Sequence, residues 1–256
     1  MAAGAARVSR LERHQRDWED LARLDPLWAI ASTPEKRFGG WDDESFMASG
    51  RQKVAGLLKR LDSLGLPERR QRALDFGCGV GRLTLPLAEA FEEVKGVDIA
   101  PAMVEQARER TADLPRVRIV LNERDDLAVL AGERFDLVYT GLVLQHLPSR
   151  DVALRYLSDL AGLVAPGGVL VAQVPVALAP HLRLQPGRRA YDALRRLGVS
   201  RELLYRRLRL QPMRLTWVPR AEVARCLTAG GLRILHVDER HQSGVRSHTL
   251  YAATSR

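Results

Sequence analysis

The stretch Leu74-Asp75-Phe76-Gly77-Cys78-Gly79-Val80-Gly81-Arg82, followed sixteen residues past Arg82 by Asp98, has the makings of a cofactor site. An apolar run carrying an acid turns through three alternating glycines and restarts as Leu83-Thr84-Leu85-Pro86-Leu87-Ala88. This reads as strand, turn, helix, the geometry that holds a nucleotide cofactor at a helix N-terminus. Glycines suit such a turn because the chain takes unusual φ/ψ values and a ligand approaches backbone with no Cβ in the way. Asp98 ends the next apolar run (Val94, Val97), where its carboxylate can accept hydrogen bonds from ribose hydroxyls; the alternative is a strand-end acid in water. His146, in Leu144-Gln145-His146-Leu147, is the candidate base, since imidazole titrates near neutral pH; the alternative is a histidine that packs or hydrogen-bonds structurally. His241 and His248 flank a C-terminal hairpin turn, and either could reach the cleft.

Regular elements must position these groups. Apolar positions Leu11, Trp18, Leu21 and Leu24 predict a helix over residues 7–24, stopped by Asp25-Pro26. A second helix is expected over 43–64, with Phe46, Met47, Val54, Leu57, Leu58 and Leu61 on one side. Expected strands at 73–76, 94–98, 117–120, 135–140 and 168–174 then alternate with helices at 82–90, 101–111 and 149–163. Such alternation implies a parallel sheet with right-handed crossovers and helices on both faces. Residues 175–218 break the rhythm with Pro180, Pro186, Gly187, Gly198 and Pro212, and with ten arginines opposed only by Asp192 and Glu202. Two short helices, 188–197 and 201–208, are expected in this segment, which leaves the fifth strand where the active site would open and reads as a substrate-facing cap. A helix at 220–229 leads through Gly230-Gly231 into two alternating strands, 233–237 and 248–252, that can pair antiparallel.

In this order and at this spacing the chain resembles the class I S-adenosylmethionine-dependent methyltransferases, from about Arg72 to Val174 and again from Pro219 onward. The resemblance implies an α/β, Rossmann-like, doubly wound and mainly parallel seven-stranded sheet with an antiparallel C-terminal hairpin. It also implies a helical N-terminal extension, 1–70, covering the active site, ahead of a methyltransferase domain, 71–256, that carries the 175–218 cap. The implied cofactor is S-adenosyl-L-methionine, with S-adenosyl-L-homocysteine as product and no metal. Asp75 would receive the methionine ammonium, and Gly77, Cys78, Gly79, Gly81 and Arg82 would border the cofactor. Asp98 would take the ribose diol, with Ile99 and Met103 about the adenine, unless those two are core. The acid that meets the adenine amino group in the family aligns with Glu123, with Asp125 and Asp126 as competitors; Arg124 and Gln145 are expected beside the cofactor. Trp28, Trp41 and Phe46 could form an aromatic wall beside the substrate, or pack the extension onto the core.

Methyl transfer is an in-line displacement at a sulfonium, so much of the rate comes from holding nucleophile and methyl together. A base is needed only where the nucleophile carries a proton that must leave. The expected acceptor is a hydroxyl or amine of a small molecule, such as a sugar, lipid or secondary metabolite. RNA or protein methylation and a non-catalytic, cofactor-binding scaffold are the alternatives; an Asn/Asp-Pro-Pro-Tyr motif is absent from the sequence. A nicotinamide dehydrogenase fits poorly, because the turn is GxGxG and the sheet is expected to end in an antiparallel hairpin.

Composition sets the outer limits. The 256 residues, 46% apolar, suffice for one large α/β domain with additions. No run of eighteen apolar residues occurs, so no membrane span is expected. The small, apolar start of the chain is too short for a signal-peptide core. Cys78 and Cys226 are far apart, which speaks against a zinc site or a disulfide framework and for a reducing cytoplasm. The formal net charge of +9 could suit nucleic acid or an anionic acceptor. Only four of the 40 cationic residues are lysine (Lys36, Lys53, Lys59, Lys95), a pattern that fits the coding bias of a GC-rich genome and a solvated basic surface. The cap arginines could hold a carboxylated or phosphorylated acceptor through bidentate contacts, or simply face water.

Overall fold

The structure is a computed structural model and describes residues 10–254; the start of the first expected helix lies outside that range. The chain opens with α1 (Arg10–Leu24), α2 (Pro26–Ile30) and α3 (Asp43–Ser63). Asp42 caps α3 by accepting the Ser45 N–H at 2.8 Å, the N-cap arrangement that satisfies one otherwise orphaned donor. The alternating core follows as β1 (Arg72–Phe76), α4 (Thr84–Ala90), β2 (Glu93–Asp98), α5 (Pro101–Arg110), β3 (Val117–Leu121), β4 (Phe135–Thr140), α6 (Arg150–Gly162) and β5 (Val164–Leu178). The cap contains α7 (Pro180–Arg183), α8 (Pro186–Arg196) and α9 (Arg201–Arg206), and the chain closes with α10 (Arg220–Ala229), β6 (Leu232–Gln242) and β7 (Val245–Thr254).

The strands form one seven-stranded sheet in the order β3-β2-β1-β4-β5-β7-β6. The β3-β2-β1-β4-β5 pairings are parallel, and β7 inserts antiparallel between β5 and β6. The expected doubly wound sheet with an antiparallel hairpin is therefore the observed one. β5 and the two hairpin strands run well past their expected ends, because each continues as a ladder partner of the next: Leu178 still pairs with Val245, and Gln242 with the same residue. α4 begins at Thr84 rather than Arg82, since the glycine turn occupies the intervening residues.

Two apolar layers bury the sheet. One packs α6 and α10 on the face of Leu74, Val138, Leu170 and Leu250; the other packs α3, α4 and α5 on the face of Ala73, Leu137, Val171 and Tyr251. A third, smaller core lies over the C-terminal edge of the sheet and joins Leu21, Ala29 and Phe46 of the extension to Val80 and Met103. The N-terminal helices thus share a core with the residues that follow β1 and β2.

Candidate functional site

The site is built on the ends of β1 and β2. Asp136 accepts the Gln71 and Arg72 N–H groups, each at 2.9 Å, and so sets where β1 enters the sheet. At its other end the turn is sewn to β2: the Gly77 and Cys78 N–H groups donate to the Val97 carbonyl at 2.7 and 3.1 Å. Asp98 completes the junction by accepting the Gly79 N–H at 2.9 Å and the Ala100 N–H at 3.0 Å. Gly77 and Gly79 have φ of +79° and +54°, the left-handed region that favours glycine. A Cβ on Gly77 would collide with the Val143 side chain, and one on Gly79 with Ile30.

Above this junction lies a cavity. Gly77, Gly79 and Asp98 form its floor, Ile99, Met103 and Asn122 its β2–β3 side, and Leu142, Val143, Gln145 and His146 its β4 side. His14 and Trp18 of α1 and Ile30 of α2 close it from above. Burial pushes the Asp98 carboxyl upward, against the two backbone N–H bonds that favour its ionised form. Asp75, 2% exposed, lies beneath the turn and accepts the Thr84 hydroxyl at 2.7 Å. Burial raises its carboxyl to about 6, with the Thr84 hydrogen bond and Arg82 pulling the other way.

His146 is held on both ring nitrogens. Its Nδ1–H donates to the Arg214 carbonyl at 2.8 Å, which leaves Nε2 to accept the Gln145 amide at 2.9 Å. Burial lowers its pKa to about 4. Next to it the Thr216 N–H and hydroxyl donate to the Gln145 and Leu147 carbonyls, both at 2.6 Å. His146 therefore belongs to a seam that stitches the loop after β4 to the cap.

The remaining sequence-expected residues divide sharply. Gly77, Gly79, Asp98, Ile99, Met103, Gln145 and His146 meet in the cavity. Cys78 points instead toward Gly96 in the core, Gly81 packs against Ala107 of α5, and Arg82 donates to Ser49 at 3.2 Å while lying over the Phe46 ring. Glu123, Arg124 and Asp125 turn outward to Gln15, Asp126 and Arg155, and the polar side chain of this stretch that lines the cavity is Asn122. Asn122 is buried, and its amide donates to the Asp126 carbonyl at 2.9 Å, which swings the three charged residues away.

Of the two readings open for the aromatic residues, the contacts match packing. Trp28 and Trp41 spend their indole N–H groups on the Thr33 and Ala31 carbonyls, each at 3.0 Å, and Phe46 packs on Trp41. All three are packing of the extension; Trp18 faces the cavity instead, edge-on to His146 at 5.3 Å. His241 lies at the far tip of the β6–β7 hairpin, and His248 is tied to Glu239 at 3.2 Å beside a separate hollow under α10.

His14, Trp18, Asn122 and Tyr156 line the cavity without having been singled out from the sequence for it. For the first two a signal existed: His14 lies within the stripe of Leu11, Trp18 and Leu21, a polar residue on the apolar side of a helix.

Four of the ten cap arginines meet acids. Arg188, with its side chain only 4% exposed, bonds Asp17 at 2.7 Å and Asp192 at 3.0 Å and also donates to the Pro212 carbonyl. Arg201 pairs with Asp20, Arg206 with Glu202, and Arg214 lies 4.0 Å from Asp192. The Tyr205 hydroxyl adds a bond to Asp25 at 2.8 Å. Cap and extension are one clamped lid.

A glycine turn bonded to a strand-end acid, at the C-terminal edge of a sheet that reverses its winding there, defines a nucleotide-cofactor site of the Rossmann-like α/β class. Residues 74–170 match the family described as a methyltransferase domain. A trans-aconitate 2-methyltransferase of Methylobacterium radiotolerans is 44% identical over 115 residues, covering 44% of this chain and 41% of that protein. A ubiquinone biosynthesis O-methyltransferase of Cereibacter sphaeroides is 33% identical over 120 residues, 47% of each chain. The chain thus spans less than half the length of these two relatives. Among solved structures, a magnesium protoporphyrin IX methyltransferase from Synechocystis with bound S-adenosylmethionine aligns over 98% of this chain and 100% of its own, with a TM-score of 0.63 and 21% identity. An N-methyltransferase from Bradyrhizobium japonicum in complex with S-adenosyl-L-homocysteine aligns over 94% and 99%, with a TM-score of 0.60 and 18% identity. Residues 74–170 thus match a methyltransferase domain, and the chain shares its fold with methyltransferases whose structures hold S-adenosylmethionine or S-adenosyl-L-homocysteine.

Proposed function

We propose that this protein is a methyltransferase that uses S-adenosyl-L-methionine to methylate a hydroxyl or amine of a small molecule. The observation that carries the reading is the Gly79–Asp98 junction at the floor of the cavity. Each carboxylate oxygen accepts one backbone N–H, which leaves lone pairs for the two hydroxyls of a ribose. Ile99 and Met103 supply apolar contact for a flat base, and the glycines let a ligand lie on bare backbone. Asp75 would hold an ammonium from beneath the turn. These residues fit the cofactor; when bound, it supplies an electrophilic methyl on a positive sulfur.

The chain's own contribution is orientation and exclusion of water. α1 and α2 cover the cavity, and the His146 seam holds the loop after β4 against the cap. A small-molecule acceptor is supported by the enclosed cavity, whose described lining carries no lysine or arginine to meet a phosphate backbone. Among the described residues no group of side chains could hold a metal ion, and no helix is long and apolar enough to cross a membrane.

Calorimetry with S-adenosyl-L-homocysteine tests the reading. Micromolar binding that Asp98→Ala weakens at least tenfold, about 1.4 kcal/mol, is the expected result. A folded protein that binds neither S-adenosyl-L-homocysteine nor S-adenosyl-L-methionine would refute it.

A further inference from the structure

The charges around the cavity limit what it can accept. Among its described lining residues there is no lysine or arginine, and its one carboxylate, Asp98, belongs to the glycine junction. Of the arginines nearest the β4 side, Arg188 bonds Asp17 and Asp192, and Arg214 lies 4.0 Å from Asp192 outside the lining. An ionised carboxylate brought here would be buried with no cationic side chain of the lining to pair with. The cofactor's sulfonium offers a positive charge but no N–H or O–H, so it cannot satisfy carboxylate lone pairs.

A proton-accepting group does face this space. His14 is 6% exposed, and no hydrogen bond among the described residues reaches its ring. It meets Trp18 edge-on at 6.3 Å, and Trp18 in turn meets His146. Cofactor groups come from the ends of β1 to β3, whereas His14 lies toward the β4 loop and the cap, the side left for an acceptor. The charged groups about it are His146 from the β4 loop, Arg214 from the cap segment, Arg188 and Asp192 from α8, and Arg13 and Asp17 from its own helix. Burial first, then His146, Arg214 and Arg188, lower its pKa to about 3, so the ring is neutral at working pH.

We infer that His14 is the proton acceptor of the acceptor site, and that the acceptor is a neutral, largely apolar molecule presenting a phenol-like hydroxyl rather than a carboxylate. This rests on the methyltransferase reading above. The hydroxyl donates to a free ring nitrogen of His14. The bond formed is oxygen to methyl carbon, and the bond broken is methyl carbon to sulfur, whose electron pair stays on sulfur. The hydroxyl proton passes to the imidazole and leaves to water with product release. A phenol is far more acidic than an alkyl alcohol, so it gives up its proton to a neutral imidazole more readily as the oxygen–methyl bond forms. His146, with both nitrogens bonded, positions the loop.

The test uses two matched probes, 4-methylphenol and 4-methylbenzoate, on wild-type protein saturated with S-adenosyl-L-homocysteine at neutral pH, where a phenol is protonated. Wild-type binding of S-adenosyl-L-homocysteine is measured first; its absence would sink the methyltransferase reading itself. With the protein loaded, the phenol is expected to bind at least about tenfold more tightly than the benzoate. His14→Phe is expected to weaken phenol binding about tenfold, the scale of one hydrogen bond in a dry site. His14→Gln, which keeps a hydrogen-bonding group but no base, retains most of that affinity and loses conversion of 4-methylphenol to its methyl ether. Equal or tighter benzoate binding overturns the inference. So does phenol affinity unchanged in His14→Phe, or loaded wild type that takes neither probe.

Discussion

The cofactor edge and the lid above it are held by opposite kinds of bond. At the edge, backbone N–H groups of Gly79 and Ala100 meet one carboxylate, and the Val97 carbonyl takes two more, all between Gly77 and Ala100. In the lid, side chains far apart in the chain meet: Asp17 with Arg188, Asp20 with Arg201, Asp25 with Tyr205. Backbone bonds on the end of a parallel sheet leave a turn little freedom. Long side-chain pairs across two helical segments can be exchanged for water, at a cost set by how deeply they are buried. The edge is thus fixed by backbone bonds within a short stretch, and the lid by side-chain pairs between distant helices.

The sharpest way to break this contrast is at the turn. Gly79→Val forces a branched side chain into left-handed backbone and against Ile30. It is expected to reduce S-adenosyl-L-homocysteine affinity about a hundredfold or more, measured by calorimetry on protein whose circular dichroism matches wild type. Affinity within threefold of wild type would mean that the turn is not the cradle.

A lid substitution should act on stability instead. Arg188→Met leaves Asp17 buried without its partner, and breaking such a pair costs about 3 kcal/mol. Denaturant unfolding should report that loss, and adding Asp17→Asn should recover part of it. Strict additivity of the two substitutions would show that they do not interact.

Protonation separates the two regions next. The raised Asp75 carboxyl titrates near 6 in the ligand-free protein, and an ammonium bound beside it requires the ionised form. Affinity for S-adenosyl-L-homocysteine should be flat above that value and fall by up to about tenfold per pH unit below it. Asp75→Asn should flatten the profile; a slope that survives would assign the titration elsewhere.

The smallest effects distinguish neighbours. Asn122→Ala removes a buried amide that holds the 122–126 loop and should weaken cofactor binding by about 1 kcal/mol. Glu123→Ala removes an exposed contact to Gln15 and should stay within about 0.5 kcal/mol. The reverse order in calorimetry would restore Glu123 as the adenine-side group.

The edge was legible in the sequence and the lid was not. Gly77, Gly79 and Asp98 announce themselves because a turn with positive φ and a strand-end acid are local demands on residue type. Trp28, Trp41 and Phe46 misled, since aromatic residues serve packing and ligand contact equally well, and only their indole bonds to Thr33 and Ala31 decide. Glu123 misled because sequence alignment places a backbone position, whereas the Asn122 amide bond to Asp126 determines which way the following side chains face.

By itself the sequence determined the alternation of strands and helices, the glycine turn and the acid at the end of β2, each set by periodicity or by backbone conformation within a short stretch. Packing between elements sets the rest: His14 and Trp18 reach the cavity, His146 is tied at both nitrogens, and Arg188 and Arg201 close on Asp17 and Asp20. Apart from the bond between neighbours Gln145 and His146, the bonds join residues 68 to 181 positions apart, and their partners are chosen by how whole elements pack.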